Sequence, residues 1–428
     1  MAVTTRLRVL ISAYACSPYK GSEPGVGWGF ISELAKHHDL WVIVEEEKFR
    51  DDIERFQSAD PNLLKSVRFY FVRKKRNCWL RKLWPPSYYW YYRRWQQDSF
   101  HLAQQMHQEV SFDLAHQLTM VGFREPGYLW KLGIPFVWGP VGGMGLFPWR
   151  FLPVVGGLGM IYYVGYNLFN WLQMNFLVRP KQAAKSAAFG FANGLIAATP
   201  ENRDGVVKYW KCASTVLAEV GLPRKPMKQI LERVADEPLR LVWTGLHIPR
   251  KALNMALLAL NRIPADVSWE LHVLGKGPRT AVWQQLAKDL GISTRCHFHG
   301  WVPREQALEV MQSAHGMLIT SLRDLTSTVT VEALALGLPI ICLDHCGFAE
   351  VVDKTCGVKI PVTTPGEVIV AMAQAIEQLA QDEDRRQSLA RGALQRAHVF
   401  SWAEKARAVD RIYRAKMAGV ANSKKDKS

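Results

Sequence analysis

The sequence predicts an α/β protein built from two Rossmann-like, doubly wound domains. The chain has 428 residues, which is too many for one ordinary hydrophobic core and suits two domains of roughly 200 residues. Apolar residues make up 48% of the chain, enough to fill two cores. Short apolar runs alternate with segments of helical periodicity in both halves, as expected of parallel sheets covered by helices.

The first domain begins with a βαβ unit. Residues 8–13 have the pattern of a buried parallel strand, and the glycine-rich stretch 21–29 predicts a loop with a helix opening at about Trp28. The start of the chain resembles a signal peptide, but its apolar run is very short and leads straight into the glycine loop, so we expect a strand. The other strands predicted in this half are residues 40–44, 114–117, 135–138 and 194–199.

The second domain shows a regular alternation of strands and helices. Its predicted strands are residues 239–244, 269–274, 296–299, 317–320 and 338–343, and its helices follow Leu253 and cover residues 279–290, 303–313 and 330–336. We therefore assign residues 1–220 to the first domain and 235–400 to the second. Residues 401–421 are expected to form a C-terminal helix, and 422–428 a basic, disordered tail.

Charge and cysteine content narrow the function classes. The formal charge of +16 predicts a surface that attracts nucleotide phosphates, nucleic acid or acidic lipid. Seven cysteines without a C-x-x-C pair disfavour a disulfide framework and indicate a reducing compartment. Cys342 and Cys346 lack a partner pair at comparable spacing, so we expect buried thiols rather than a metal site. The acidic triplet 382–384 is expected to cap a helix.

Two segments of the first half have unusual composition. Residues 65–95 carry ten Lys and Arg and no acid, interleaved with Tyr and Trp, which suits a membrane interface, single-stranded nucleic acid, or a helix with inward-facing rings. Residues 151–178 are uncharged and long enough to span a bilayer, but Pro, Gly, Asn and Gln interrupt them. We expect this stretch to be interfacial or to line a groove rather than to cross a membrane.

Ligands of open parallel sheets bind at the carboxyl ends of the strands, and loops of the second domain at that edge carry suitable residues. The loop after residues 239–244 contains Gly245, Arg250 and Lys251, whose types suit a diphosphate. A G-x-G turn at Gly275 follows the next strand, although a plain turn explains that pattern almost as well.

A third loop, residues 321–339, combines hydroxyls, carboxylates and a helix start. Free amide groups at the start of the helix can hold phosphate. Asp324 and Glu332 lie at the two sides of this loop and predict contacts to sugar or ribose hydroxyls, since an ionised acceptor forms the stronger class of hydrogen bond. Taken alone, Asp324 could equally be a helix cap and Glu332 a surface residue.

The order acid, seven residues, Glu and Ala-Leu-Ala-x-Gly-x-Pro from Asp324 to Pro339 resembles the E-x7-E signature of retaining glycosyltransferases of family 4, which have the GT-B fold. Further motifs fit in the right order along the chain. They are Gly245 with Arg250-Lys251, Val273 to Pro278 around Gly275, Phe298 to Val302 around Gly300, the glycine stretch with Gly25 and Gly27, and Asp113 to His116. Asp324 and Cys346-Gly347 stand where the family more often has Glu and Gly-Gly.

The resemblance implies two Rossmann-like domains that face each other across a cleft, with the C-terminal helix returning to the first. It implies that the first domain binds the acceptor and the second the nucleotide sugar. Arg250 and Lys251 would stabilise the departing diphosphate, Glu332 would hold ribose hydroxyls, and Asp324 and His116 would hold the transferred sugar. The expected donor-binding residues are Gly25, Gly27, Gly245, Gly275, Gly300, Trp301, Val302, Thr326, Ser327, Thr328 and Val329.

The implied activity is a retaining, metal-independent hexosyltransferase in cell-surface glycan or exopolysaccharide biosynthesis. It would move a sugar from a UDP- or GDP-sugar, the co-substrate, to a lipid-linked or polysaccharide acceptor, with no cofactor and no bound metal. The basic aromatic and uncharged segments predict a cytoplasmic protein on the anionic inner face of the membrane, without a nucleic-acid partner. A catalytically silent sugar-nucleotide scaffold and a nucleic-acid-binding protein are the alternatives.

Overall fold

The computed structural model describes residues 5–60, 62, 64–75, 79, 87–190, 192–222, 230–234 and 237–425. The chain divides into two units. The first unit comprises Met1–Met144, Gln173–Pro223 and Trp402–Ser428, and the second comprises Gly145–Leu172 and Arg224–Ser401. Part of the predicted basic aromatic segment (76–78 and 80–86) and the end of the predicted tail (426–428) lie outside the described residues.

The described part of the first unit contains one parallel sheet. Its strands are β1 (Arg8–Ser12), β2 (Asp39–Glu45), β3 (Val67–Val72), β4 (Leu114–Gln117), β5 (Phe136–Val141), β6 (Leu195–Ala197) and β7 (Thr215–Val216). They are arranged in the order β3-β2-β1-β4-β5-β6-β7. β1 pairs with both β2 and β4, and Val9, Leu10 and Ile11 are fully buried, which accounts for the apolar run near the start of the chain.

Helices of the first unit cover this sheet. They are α1 (Ser22–Leu34), α2 (Glu46–Ala59), α3 (Ser87–Val110), α5 (Val178–Ala188), α6 (Pro200–Gly205) and α14 (Trp402–Lys425), while the end of α4 (Gly157–Phe176) also belongs to this unit. The sequence expectation that the C-terminal helix returns to the first domain matches the packing of α14 within this unit. The Trp402 ring lies 5.2 Å from the Phe30 ring of α1, measured between centroids.

Helix α1 begins earlier than the glycine pattern predicts. It starts at Ser22, so Gly25 and Gly27 lie inside the helix, and the prediction of a loop up to about Trp28 is wrong. Tertiary packing overrides the low helix propensity of glycine here. A Cβ atom on Gly27 would come within 2.3 Å of the Ala15 carbonyl oxygen, and one on Gly29 within 2.2 Å of the Trp402 ring.

The described part of the second unit also contains one parallel sheet. Its strands are β8 (Leu239–Thr244), β9 (Trp269–Leu274), β10 (Cys296–Gly300), β11 (Gly316–Ile319), β12 (Ile340–Leu343) and β13 (Gly357–Ile360), arranged in the order β10-β9-β8-β11-β12-β13. Its helices are α7 (Leu253–Leu260), α8 (Thr280–Asp289), α9 (Arg304–Gln312), α10 (Thr328–Ala335), α11 (Phe348–Val351), α12 (Pro365–Gln381) and α13 (Glu383–Val399). Asp382 caps α13 by accepting from the Arg385 amide, as the sequence predicts.

The stretch Gly145–Leu172 packs with the second unit, whereas the domain boundaries predicted from the sequence assign it to the first. Its buried aromatic and aliphatic side chains join the core of the second unit, which explains the difference. These side chains are Phe147, Phe151, Val155 and Tyr163. None of the helices in the described residues is long and apolar enough to cross a membrane, and this includes α4 within the uncharged segment.

Candidate functional site

The loops after β8, β9 and β10 are hydrogen-bonded to one another at the carboxyl ends of these strands. The Gly245 amide donates to the Leu274 carbonyl (3.1 Å), and the Gly275 amide donates to the Gly300 carbonyl (2.8 Å). Gly275 has a φ of +111°, and a Cβ atom there would lie 2.0 Å from the Gly245 carbonyl oxygen. Only glycine fits this close approach, so the G-x-G pattern has a structural cause.

A cluster of charged side chains lies beside these loops, where β8 and β11 end. The Lys251 Nζ atom is 2.6 Å from Asp324 Oδ2, and Arg250 Nη1 is 3.3 Å from the same oxygen. Arg250 also donates to the carbonyl of Arg323. The structure thus brings together three of the residues that the sequence predicts to be catalytic.

The cluster is largely removed from water and remains charged. The exposed fractions of the Lys251 and Asp324 side chains are 11% and 19%. Burial alone would raise the pKa of Asp324, but the charges of Lys251 and Arg250 outweigh burial and hold that pKa below its ordinary value. An ionised carboxylate between two cations therefore persists at neutral pH.

Neighbouring polar groups position Lys251. Its carbonyl accepts from Thr320 Oγ1 (2.7 Å), and the same oxygen atom of Thr320 accepts from the indole N–H of Trp243 (3.0 Å). A small cavity at this end of the sheet is lined by Lys251, Ser321, Ser327 and others. Thr320 and Trp243 were not singled out from the sequence, because only the pairing of β8 with β11 brings them beside Lys251.

The hydroxyl-rich loop and helix α10 complete this edge. Ser327 precedes the helix in an extended conformation, and α10 begins at Thr328, next to Val329. The first amides of a helix have no partner within it, so they are available to an anion. Thr326 is buried and packs against Gly347. A Cβ atom on residue 347 would come within 2.2 Å of Thr326 Oγ1.

Cys346 contributes a contact that the sequence did not predict. Its backbone has a φ of +56°, a conformation that favours glycine, and the family more often has glycine at this position. The Sγ atom of Cys346 accepts from the Asp324 amide at 3.2 Å. Cys342 and Cys346 are both buried thiols, as expected.

Glu332 lies on α10 and is held by Arg304, the first residue of α9. The guanidinium of Arg304 donates to Glu332 Oε1, with the Nε atom at 3.2 Å. No sequence signal pointed to Arg304, because it lies 28 residues from Glu332 on a different helix.

The loop after β10 carries two further residues of the predicted donor site. Beyond Gly300, which has a φ of +71°, the Trp301 side chain is 68% exposed. Val302 is partly buried.

His116 occupies a different kind of environment, in the core of the first unit. It lies on β4 and is fully buried. Its Nδ1 atom is 2.6 Å from the Tyr413 hydroxyl, and its Nε2 atom is 2.9 Å from the Gly139 carbonyl. Burial lowers the pKa of His116 to about 4, so the ring is neutral at pH 7. Both nitrogens are engaged within the unit, so this geometry gives no support to a role for His116 in holding the sugar.

The glycines predicted to bind the donor in the first unit also have structural roles. Gly25 and Gly27 lie within the first two turns of α1, and a Cβ atom on Gly25 would come within 2.8 Å of the Lys20 carbonyl oxygen. Glu23, also in the first turn of α1, reaches the loop after β4 and accepts from the Val121 amide at 2.9 Å.

Fold and site define the second unit as a Rossmann-like domain with a cationic site at the carboxyl ends of its strands. Residues 231–396, less than half of the chain, match the model of the family described as glycosyl transferases group 1. The match lies within the second unit and agrees with the resemblance drawn from the motifs in this half of the chain.

A curated relative, D-inositol 3-phosphate glycosyltransferase of Corynebacterium kroppenstedtii, is 32% identical over 136 residues. That alignment covers 32% of this chain and 29% of the relative, and the chain spans less than half the length of the first curated relatives it matches. Among solved structures, the lipopolysaccharide outer core galactosyltransferase WaaB matches with a TM-score of 0.60 at 14% identity, covering 96% of this chain and 100% of WaaB.

HepE of Anabaena, solved in complex with UDP, matches with a TM-score of 0.55 at 14% identity. The match covers 95% of this chain and 98% of HepE. At this level of identity the likeness concerns the fold. The chain has the two Rossmann-like domains of the GT-B fold.

Proposed function

We propose that this protein is a retaining glycosyltransferase that moves a hexosyl group from a UDP- or GDP-sugar to a lipid-linked or polysaccharide acceptor. The observation that carries the proposal is the cluster of Arg250, Lys251 and Asp324 at the carboxyl ends of β8 and β11. It lies in the segment that matches the glycosyl transferases group 1 family. The complex of the similarly folded HepE with UDP supports a nucleotide donor.

The chemistry of the cluster suits a diphosphate leaving group. When a sugar leaves its nucleotide, negative charge grows on the phosphate oxygens, and fixed cations in a water-poor site stabilise that charge strongly. Lys251 is held in place through its carbonyl and its ammonium group, so little reorganisation is needed. The guanidinium of Arg250 adds planar donors suited to phosphate. These two cations supply the charge that a metal ion would otherwise provide.

The proposed transfer breaks the bond between the anomeric carbon and the phosphate oxygen. A new bond forms on the same face between that carbon and the acceptor hydroxyl oxygen. The hydroxyl proton passes to the departing phosphate oxygen, so the products are a glycoside and a nucleoside diphosphate. In this scheme Asp324 fixes the two cations and accepts from sugar hydroxyls, while Glu332 accepts from ribose hydroxyls beside Arg304.

Donor turnover separates an enzyme from a silent sugar-nucleotide scaffold. The wild-type protein is incubated with UDP- and GDP-sugars and a membrane extract, and release of the nucleoside diphosphate is measured. We expect release with at least one donor and a large loss in Asp324→Ala and Glu332→Ala. Arg262→Ala, an exposed residue of the same unit, is the matched control and should keep full activity. Turnover that survives both site variants unchanged would contradict the assignment.

Helix α4 supports the further proposal that the protein works on a membrane surface. Its inward face carries Asn167, whose amide group exchanges two hydrogen bonds with the backbone of Phe147. Its outward face is apolar, with exposed fractions between 40% and 87%. These outward side chains are Leu158, Ile161, Tyr162, Leu168, Phe169 and Leu172. An apolar outer face on an uncharged helix is suited to the interfacial layer of a bilayer.

The first unit offers cations for acidic headgroups. A groove of about 610 Å³ beside α3 is lined by Trp90, Arg93, Arg94, Tyr128 and Lys131, among others. Arg93 is partly neutralised by its ion pair with Glu125. Aromatic rings at headgroup depth with nearby cations are typical of interfacial binding. We therefore propose a peripheral location on the inner, anionic face of the membrane, next to a lipid-linked acceptor.

Co-sedimentation with vesicles of phosphatidylglycerol and phosphatidylcholine tests the membrane proposal. The double variant Leu158→Glu/Ile161→Glu should bind far less than wild type at low salt, because it places two charges on the apolar face of α4. Val282→Glu, at an exposed apolar position of α8, should bind as wild type does. Equal binding by the double variant and wild type would contradict insertion of α4.

A further inference from the structure

We propose that the outer face of β9 and β10 holds a transition-metal site, suited to Zn²⁺, formed by Glu270, His272 and His297. One ligand atom from each of these residues lies within 4.8 Å of the other two. The Nε2 atoms of His272 and His297 lie 3.8 and 3.9 Å from Glu270 Oε2. Zinc binds such ligands at about 2.0–2.2 Å, so two ligands less than about 4 Å apart are within reach of one ion.

Strand register explains how the site forms. Side chains two residues apart lie on one face of a strand, so Glu270 and His272 share a face of β9. His297 is the direct partner of His272 on β10, the outermost strand of this sheet among the described residues. The carboxylate and the His297 ring are 37% and 43% exposed, so an ion can enter from solvent.

A hydrogen bond between His272 and His299 orients His272 for a metal. Its Nδ1 atom is 3.0 Å from His299 Nε2, and a proton on Nδ1 donated to that nitrogen leaves the lone pair on His272 Nε2. That Nε2 atom is buried and has no hydrogen-bond partner among the described residues, although it faces the Glu270 carboxylate.

The types of the three ligands determine which class of metal ion the site binds. Imidazole ligands suit Zn²⁺, Cu²⁺ and Ni²⁺, whereas Mg²⁺ and Ca²⁺ prefer oxygen ligands. Three protein ligands leave a fourth position for water or for a group from a partner. The site is separate from the Lys251–Asp324 cluster, but β9 and β10 continue directly into the loops at Gly275 and Gly300. A bound ion would cross-link the edge strand β10 to β9 shortly before those loops.

Metal titration of the full chain tests this inference without any assay of transfer. Metal-depleted protein is titrated with Co²⁺, followed by its visible absorption, and with Zn²⁺ in competition with a chromophoric chelator. We expect one equivalent to bind with the absorption of a nitrogen- and oxygen-ligated Co²⁺ ion. Zn²⁺ should also raise the Tm of the wild-type protein.

The ligand variants His297→Ala and Glu270→Gln should each bind Zn²⁺ at least about 10-fold more weakly, and His299→Phe should lose a similar factor through misplacement of His272. His398→Ala, an exposed histidine elsewhere in the unit, should bind as wild type does. Circular dichroism of each variant verifies folding. Binding that is unaffected by the ligand variants, or no binding of either ion by wild type, would overturn the site. Either result would leave the glycosyltransferase proposal untouched.

Discussion

The two sheets carry very different side chains at corresponding places. In the first unit, β4 lies beside β1 and carries His116, a neutral ring that contacts Tyr413 and the Gly139 carbonyl. In the second unit, β11 lies beside β8 and leads to Asp324, an ionised group between Lys251 and Arg250. The position at the carboxyl ends of the strands therefore does not by itself determine the chemistry of a site. The side chains differ: the second unit carries a charged cluster of Arg250, Lys251 and Asp324, and the first unit carries the buried ring of His116.

Removing Lys251 should have the largest effect. Lys251→Met deletes the closest charge to Asp324 and the main cation for the proposed diphosphate, so turnover should fall at least about 100-fold. Unfolding free energy should fall by about 3 kcal/mol, because Asp324 loses the partner that compensates its burial. Donor turnover and urea unfolding measure the two effects. Lys288→Met, an exposed lysine on α8, serves as the control. Full turnover in Lys251→Met would show that the reaction does not need the cationic cluster of the second unit.

The pH dependence of stability should sharpen the contrast. The folded-state pKa of His116 is about 4, below the ordinary value of 6.5. The unfolded chain therefore takes up a proton first, and stability is lost as the pH falls from 6.5 towards 4, with His116 contributing up to about 1.4 kcal/mol per pH unit.

The pH dependence of stability that comes from Asp324 lies in a lower pH range. Its pKa is lowered in the folded protein, so its stabilising contribution is present above its ordinary pKa of 3.8 and is lost below it. Urea unfolding between pH 7 and pH 5 should therefore show a shallower slope in His116→Gln than in wild type. Asp324→Asn should leave that slope unchanged. Identical slopes in His116→Gln and wild type would show that His116 is not buried as a neutral ring.

Tyr413→Phe should cost stability but not function. The substitution removes the hydroxyl that contacts His116 Nδ1, at a cost of about 1 kcal/mol. Donor binding and turnover should match wild type, because this contact lies inside the first unit, whereas the cationic cluster belongs to the second. A selective drop in turnover with unchanged stability would mean that the His116 contact takes part in the reaction.

Cys346→Gly should have the smallest effect. Glycine relieves the left-handed backbone at this position but removes the Sγ contact to the Asp324 amide, and the two terms oppose each other. The net change in unfolding free energy should stay below about 1 kcal/mol. Cys346→Ala keeps the backbone cost and loses the contact, so it should be the less stable of the two. The reverse order, measured by urea unfolding, would contradict this account of Cys346.

Elements set by local patterns could be predicted from the sequence. The strands β4, β8 and β9 match their predicted ranges residue for residue, because a short strand pattern between helical segments is a local signal. The start of α1 was misjudged because glycine weakens a helix locally, whereas Ala15 and Trp402 need close contact there. Local sequence patterns do not reveal these two contacts, and Trp402 is also distant in the chain.

The same limit explains the outcome for the site. The proximity of Arg250, Lys251 and Asp324 could be predicted, because each follows a strand of the same sheet; their role at a phosphate stays a prediction. The sugar-binding role of His116, which the resemblance implies, stays a prediction. The motif around His116 carries no information on its contact with Tyr413, which is 297 residues away. The histidines of β9 and β10 are visible in the sequence, but no local pattern predicts the cluster of Glu270, His272 and His297. Only the pairing of β9 with β10 brings these three residues together.

Binding of nucleoside diphosphates, measured by isothermal titration calorimetry, tests the central claim most directly. We expect UDP or GDP to bind the wild-type protein and Tyr413→Phe with equal affinity. Lys251→Met should bind the same nucleotide at least about 10-fold more weakly, since a charge-assisted contact to phosphate is worth about 1.5–3 kcal/mol. Equal affinity of wild type and Lys251→Met, or loss of binding in Tyr413→Phe instead, would contradict the claim that the second unit holds the diphosphate through its cationic cluster.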